Sequence, residues 1–257
     1  MRFRRNIADT TFNAAAYCEA IAAAQARSDD YGYEYLSGIH GYPLPIFCPH
    51  ASDIFLPWHR AYLMQFEICV GQNFSDFAIG VWDWRTPAGT QGQIPELFTS
   101  ISHTNSDALL RYAPSRLRAT ELDELVRGRA LDPAAPHSTL RNPSKLPLPI
   151  PREVSRPLNE SNFFLFQRSL ESGVHNLVHD WVGGAMGSVP SAAFDPIFWS
   201  HHAMIDAIWA AWEDKNPRYP YPASYLASPL PPFNLRVGDV VTMRNLAYQY
   251  DLVSLIS

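Results

Sequence analysis

Four of the nine histidines in this 257-residue chain fall within 28 residues, in 175-HNLVHDWVGG-184 and 198-FWSHH-202. His175 and His179 stand four apart in a helical pattern, so their imidazoles project from one face about one turn apart. That spacing suits chelation of a single ion. The adjacent pair His201 and His202 supplies a third donor. Neighbouring residues on a helix point about 100° apart, so only one of the two can face that ion and the other becomes a hydrogen-bond partner. The first third of the chain offers a matching set. His40 lies in a Gly-flanked loop, His50 follows Cys48 and Pro49, and His59 sits on a helix that begins near Ser52. No H-E-x-x-H arrangement of the zinc hydrolase kind is present. Three neutral imidazoles per ion favour copper, zinc or nickel, with copper heading the affinity order. Two such sets on facing helices describe a dinuclear centre in a bundle core.

Those histidines need a scaffold. Hydrophobic residues make up 47% and charged residues 18%, enough apolar material for one large domain or two small ones. A net charge of -5 without a basic patch argues against a nucleic-acid or anionic-membrane surface. Cys18, Cys48 and Cys69 are too few and too scattered for a disulfide framework. No apolar run is long enough to span a membrane, and 11-TFNAAAYCEAIAAAQA-26 reads as an Ala-rich helix capped near Asp9 or Thr10, not as a signal peptide. A cytoplasmic location is expected, with export through a processed signal or a partner left open. The patterns predict helices over 10–27, 52–70, 161–182 and 199–214, and shorter ones over 105–113 and 120–128. Gly and Pro mark 31–45 and 143–153 as loops, and the tail 237–257 reads as short strands. The expectation is a mainly α single domain over 1–257, with long loops and a few strands.

Five segments carry a family resemblance. 55-FLPWHRAYLMQFE-67, 82-WDW-84, 175-HNLVHDWVGG-184, 195-DPIFWSHHAMID-206 and 248-YQY-250 resemble the motifs of the type-3 copper family of tyrosinases, catechol oxidases and haemocyanins. The resemblance implies a four-helix bundle core holding two copper ions, with dioxygen as co-substrate. Copper A takes His40, His50 and His59 from a segment of about 35–85. Copper B takes His175, His179 and His202 from about 165–215, which leaves His201 as a neighbour. His103 and His137 match no motif and read as surface loop residues. A thioether from Cys48 to His50 occurs in some family members, although Pro49 stands where the family often has Thr.

The resemblance also implies roles around the metals. Asn176 and Glu171 position a water that acts as base, Gln167 being a departure from the family. Asp180 and Val189 shape the substrate site, Asp180 favouring amines and Val189 leaving room over copper A. Phe198 is grouped with the substrate-binding residues and stacks on a ligand histidine. The implied reaction hydroxylates monophenols and oxidises o-diphenols to o-quinones; a catechol oxidase, an o-aminophenol oxidase or a haemocyanin-like carrier are the alternatives. Only seven residues follow 248-YQY-250, so no C-terminal covering domain is expected. The site is then open, or a separate copper-delivery protein serves it.

Overall fold

The structure is a computed structural model that describes residues 2–41, 47–86, 93–99, 111–112, 137–138, 141–144, 148 and 151–250. Strand β1 (Arg2–Arg4) is followed by helix α1 (Ala14–Gln25). The cap of α1 is Asn13, which accepts from the Ala16 N–H, because Asp9 is already used by the backbone and hydroxyl of Thr11. Helix α2 (Tyr33–Gly38) lies inside the stretch expected to be loop. Its short length hides the period, and burial of Tyr33 and Leu36 stabilises it beyond what local propensity predicts. Helix α3 (Phe55–Val70) places Pro57 in its first turn, where the missing donor leaves no helical bond unmade.

Two short strands, β2 (Arg111–Tyr112) and β3 (His137–Ser138), pair antiparallel. This corrects two expectations: Arg111 and Tyr112 are not helical, and His137 is strand, not loop. The rest of 105–113, the helix expected over 120–128, and His103 lie outside the described residues. Helix α4 (Pro151–Leu158) takes in residues 151–153 of the stretch expected to be loop; proline at a first helical position has its φ already set.

Helix α5 (Phe163–Leu170) is capped by the Asn162 side chain, which accepts from Phe164 and Leu165. It runs through a π-helical turn, Glu171–His175, into α6 (Asn176–Val182). Gly183 ends α6 at φ 63, a conformation that favours glycine. The short α7 (Val189–Ala192) precedes the long α8 (Ile197–Lys215). Beyond lie α9 (Ala223–Leu226), α10 (Val237–Val240) and β4 (Tyr248–Tyr250). The described part of the tail, 237–250, is therefore part helix and part strand, and β4 pairs parallel with β1, Arg2 opposite Tyr248.

The core is a four-helix arrangement of α2, α3, α5–α6 and α8, locked by aromatic and polar contacts. Phe66 of α3 stacks on Trp199 of α8 at 3.7 Å between centroids, and Phe166 of α5 on Trp212 of α8 at 5.1 Å. Truncating any of these to alanine should cost roughly 3–5 kcal/mol. The Tyr62 hydroxyl donates to the Leu36 carbonyl at 2.6 Å and ties α3 to α2. Gln167 accepts from the Leu56 N–H and donates to the Ser52 and Asp53 carbonyls, so α5 holds the N-terminal turn of α3. Among the described residues no helix is long and apolar enough to cross a membrane.

Candidate metal centre

Each candidate histidine is held by the element that carries it. His40 follows the last turn of α2, and its Nδ1 donates to the Val189 carbonyl at 2.8 Å. His59 Nδ1 donates to the Phe55 carbonyl one turn back on α3, at 2.9 Å. His179 Nδ1 reaches the Met186 carbonyl at 2.9 Å, and His175 Nδ1 reaches Asn176 Oδ1 at 2.8 Å. A carbonyl oxygen only accepts, so these bonds put the proton on Nδ1 and make Nε2 the nitrogen that carries the lone pair. Four imidazoles are thus set in one tautomer by their neighbours, as metal-binding histidines commonly are.

The rings converge. His40, His50 and His59 have centroids 5.7–6.1 Å apart, and His175, His179 and His202 lie 4.6–5.4 Å apart. The two sets meet where His59 and His202 stack at 4.4 Å, and Nε2 of His179 comes to 3.2 Å from Nε2 of His202. Donor atoms within 4.8 Å of one another form two tighter groups, one of His175, His179, His201 and His202, the other of His40, Cys48 and His59. Cys48, not His50, completes the second of these groups. Its Sγ lies 3.3 Å from His50 Nδ1, 3.8 Å from His50 Nε2 and 3.4 Å from His59 Nε2, facing the ring edge that a thioether would use. His201, expected as a neighbour of the ligands, is fully buried and stacks on the His175 ring at 5.5 Å.

Burial keeps these rings neutral. Desolvation, reinforced by neighbouring His50, pulls His40 down to about 3, and burial pulls His179 down to about 4. Burial also lowers His50, His59, His175, His201 and His202. A neutral imidazole is the form that ligates. Nε2 of His175 and Nδ1 of His202 are buried with no hydrogen-bond partner. An orphaned polar atom in a dry interior is costly, and an ion bound between the converging rings would satisfy Nε2 of His175. This all-imidazole set, with one thiol beside it, fits copper.

The histidines floor a cavity of about 260 Å³ lined by His40, His50, His175, His179, Asn176, Asp180, Met186, Ser188 and Val189, among others. Asn176, Asp180 and Val189, singled out in the sequence, are among its lining residues. Phe198 is not in the lining; it packs beneath, 4.2 Å from the His202 ring and 4.8 Å from His40. Glu171 is also outside the lining. Its Oε1 accepts from the Ala51 N–H at 2.6 Å, pinning the residue after His50, and burial raises its pKa against that bond. Sequence reasoning missed Met186 and Ser188. The signal available was the glycine pair 183–184, both at positive φ, which folds the chain back over the site. A Cβ on Gly183 would sit 2.9 Å from the Asn142 carbonyl oxygen. Arg141, beside that contact, forms a two-pronged pair with Asp195 at 2.7 and 2.6 Å. A larger cavity of about 460 Å³, lined by Phe3, Arg5, Phe12 and Tyr17 among others, has no histidine among the described residues of its lining.

The helical bundle and its histidine groups place the chain among the type-3 copper proteins, a family that uses two copper ions and dioxygen. The family described as the common central domain of tyrosinase matches residues 30–215, and the chain belongs to it. A haemocyanin of Enteroctopus dofleini is 29% identical over 242 residues, covering 84% of this chain and 18% of its own length. The tyrosinase of Streptomyces antibioticus is 31% identical over 189 residues, 67% of each chain. In structure, a functional unit of octopus haemocyanin superposes with a TM-score of 0.78 at 24% identity, over 98% of this chain and 68% of that one. The tyrosinase of Burkholderia thailandensis gives 0.74 at 18% identity, over 100% and 78%. The chain thus spans less than a fifth of the octopus haemocyanin sequence.

Proposed function

We propose that this chain is a dicopper phenol oxidase that hydroxylates monophenols and oxidises o-diphenols to o-quinones. The observation that carries it is the cavity itself: imidazoles form the floor of an open space large enough for one aromatic ring. His40, His50 and His59 would hold one copper, and His175, His179 and His202 the other. Bound there, the copper pair supplies the activation of dioxygen and the two-electron chemistry.

The chain's own groups bind the ring and move its proton. Val189 at the wall is small enough to let a phenol reach the floor. A phenol near pKa 10 needs a base before its oxygen can ligate. The amide nitrogen of Asn176 and the second oxygen of Glu171 carry no hydrogen bond among the described residues, which leaves both free to hold a water in that role. Asp180 is exposed and is the only carboxylate among the described residues of the lining. It favours substrates with a cationic amine over phenolic acids.

The haemocyanin relatives support a second reading, a reversible oxygen carrier. The test is to load the protein with copper and offer tyramine, a neutral monophenol and a catechol side by side. Turnover of catechol alone sinks the monophenol oxidase reading and leaves a catechol oxidase. Reversible oxygen uptake without turnover of any of the three establishes the carrier.

A further inference from the structure

We propose that a buried charge cluster built from both ends of the described chain positions the two halves of the metal centre relative to each other, with Arg4, Arg60, Asp206, Tyr248 and Tyr250 as positioning residues. The inference rests on the dicopper reading above. Arg60 is the residue after His59 on α3, and Asp206 lies one turn beyond His202 on α8. The Arg60 Nε donates to Asp206 Oδ1 at 2.6 Å. This bond crosses from α3 to α8 beside the stacked rings of His59 and His202, the contact at which the two histidine sets meet.

The other oxygen of Asp206 accepts three more bonds, from Arg4 Nη1 at 3.0 Å, Tyr248 at 2.7 Å and Tyr250 at 2.6 Å. Arg4 in turn grips Glu67 of α3 through two bonds of 2.8 and 2.9 Å, and its guanidinium lies 3.6 Å over the Tyr248 ring. The guanidinium of Arg60 lies 3.4 Å over the Trp209 ring of α8. Arg4 and Arg60 are 0% exposed, Glu67 2% and Asp206 3%. Taking these charges out of water costs several kcal/mol per ion, and a buried ionic cluster commonly adds no more stability than apolar packing of the same volume. What it does supply is direction. Bonds with fixed forks and angles tolerate one spacing of α3 and α8, where apolar contacts would tolerate several.

Arg4, Tyr248 and Tyr250 lie outside the family match at 30–215, which contains all six candidate ligands. The parallel pairing of β1 with β4 brings them together. The site's geometry therefore depends on residues that a chain cut to the matched segment would lack.

The test uses the full chain loaded with copper, in wild type and in Tyr250→Phe, Arg4→Met and Arg4→Lys. Readouts are copper stoichiometry and affinity, the metal–metal distance from X-ray absorption, and the electron paramagnetic resonance of the Cu(II) form. Two Cu(II) ions held close together couple and give no signal; ions held at a wrong spacing give one. Tyr250→Phe keeps the ring and removes one donor to Asp206. It should weaken binding of the second copper by about 10-fold, the scale seen for groups that orient metal ligands, and produce a Cu(II) signal absent from wild type. Arg4→Met should do the same more strongly, with partial recovery in Arg4→Lys. If Arg4→Met fails to fold, Tyr250→Phe decides. Variants that take up two coppers with wild-type affinity and stay silent overturn the proposal, even where their melting temperature falls. A wild-type chain that does not bind two coppers overturns this inference and the functional reading together.

Discussion

Acidification of the metal-free protein should unfold it at a pH where the copper-loaded protein is still folded. An imidazole in the unfolded chain titrates near 6.5, whereas burial holds His40 at about 3 in the fold. Between those values the unfolded chain binds a proton that the folded chain refuses, so stability falls as pH falls. The loss is about 1.4 kcal/mol per pH unit below 6.5, or about 2 kcal/mol at pH 5 from His40 alone. His59, His175, His201 and His202, none more than 3% exposed, are lowered in the same direction, first by burial. His179, held at about 4 by burial, loses a similar amount, so His40 and His179 together cost about 4 kcal/mol at pH 5, a large share of a domain's net stability of about 5–15 kcal/mol. Burial raises Asp206 but Arg60 and Arg4 outweigh it and hold the carboxyl below its usual range, so it titrates below this window. Copper occupies the lone pairs, and protons must then displace metal before the fold is lost. Urea midpoints from circular dichroism at about pH 7.5, 6 and 5, with and without copper, measure the effect. An apoprotein midpoint that stays flat across that range refutes the reasoning.

Asn176→Ala should lower hydroxylation of a monophenol about 10-fold more than oxidation of a catechol, less than the roughly 100-fold or more of a general base itself because the amide only positions the water; equal losses in kcat remove the role given to its amide. Asp180→Asn should reduce the preference for tyramine over a neutral phenol about 5-fold in kcat/KM, matching a screened charge contact of about 1 kcal/mol. An unchanged ratio would take charge out of substrate selection. Gly183→Ala forces a side chain into positive φ and against the Asn142 carbonyl, and chemical denaturation should show a loss of about 1–2 kcal/mol. A thioether between Cys48 and His50 should appear, after copper and dioxygen treatment, as a peptide pair lighter by two hydrogens in mass spectrometry, and be absent in Cys48→Ser.

The sequence made the histidines legible because helical spacing is a local property: His175 and His179 advertise a shared face wherever their helix packs. The adjoining motifs then located α3 and α8 to within a few residues. Other parts carry no local signature. The π-helical turn at Glu171–His175 adds one residue to a helical turn and leaves the pattern of apolar residues unbroken. The bond from Ala51 to Glu171 depends on Ala51 standing at φ 54, which nothing in its neighbourhood announces. Glu171 could be placed near His175 by counting, but not assigned to the His50 loop. Asp206 was visible as an acid four residues after His202; its donors Arg4, Tyr248 and Tyr250 come from sequence positions up to 202 residues away, a matter of chain topology.

The aromatic packing around the histidines also has an optical consequence. Trp58 sits with its ring 5.0 Å from His59 and 6.2 Å from His40, and Trp84 lies 6.3 Å from His201. A Cu(II) ion at that range drains the excited state of an indole before it can emit. Trp212, stacked on Phe166 and edge-on to Phe163, has no candidate ligand among its ring contacts and supplies a steadier background. Intrinsic fluorescence therefore reports metal occupancy directly, without dye or substrate, and lets copper uptake be timed in a stopped-flow cell on the unmodified chain.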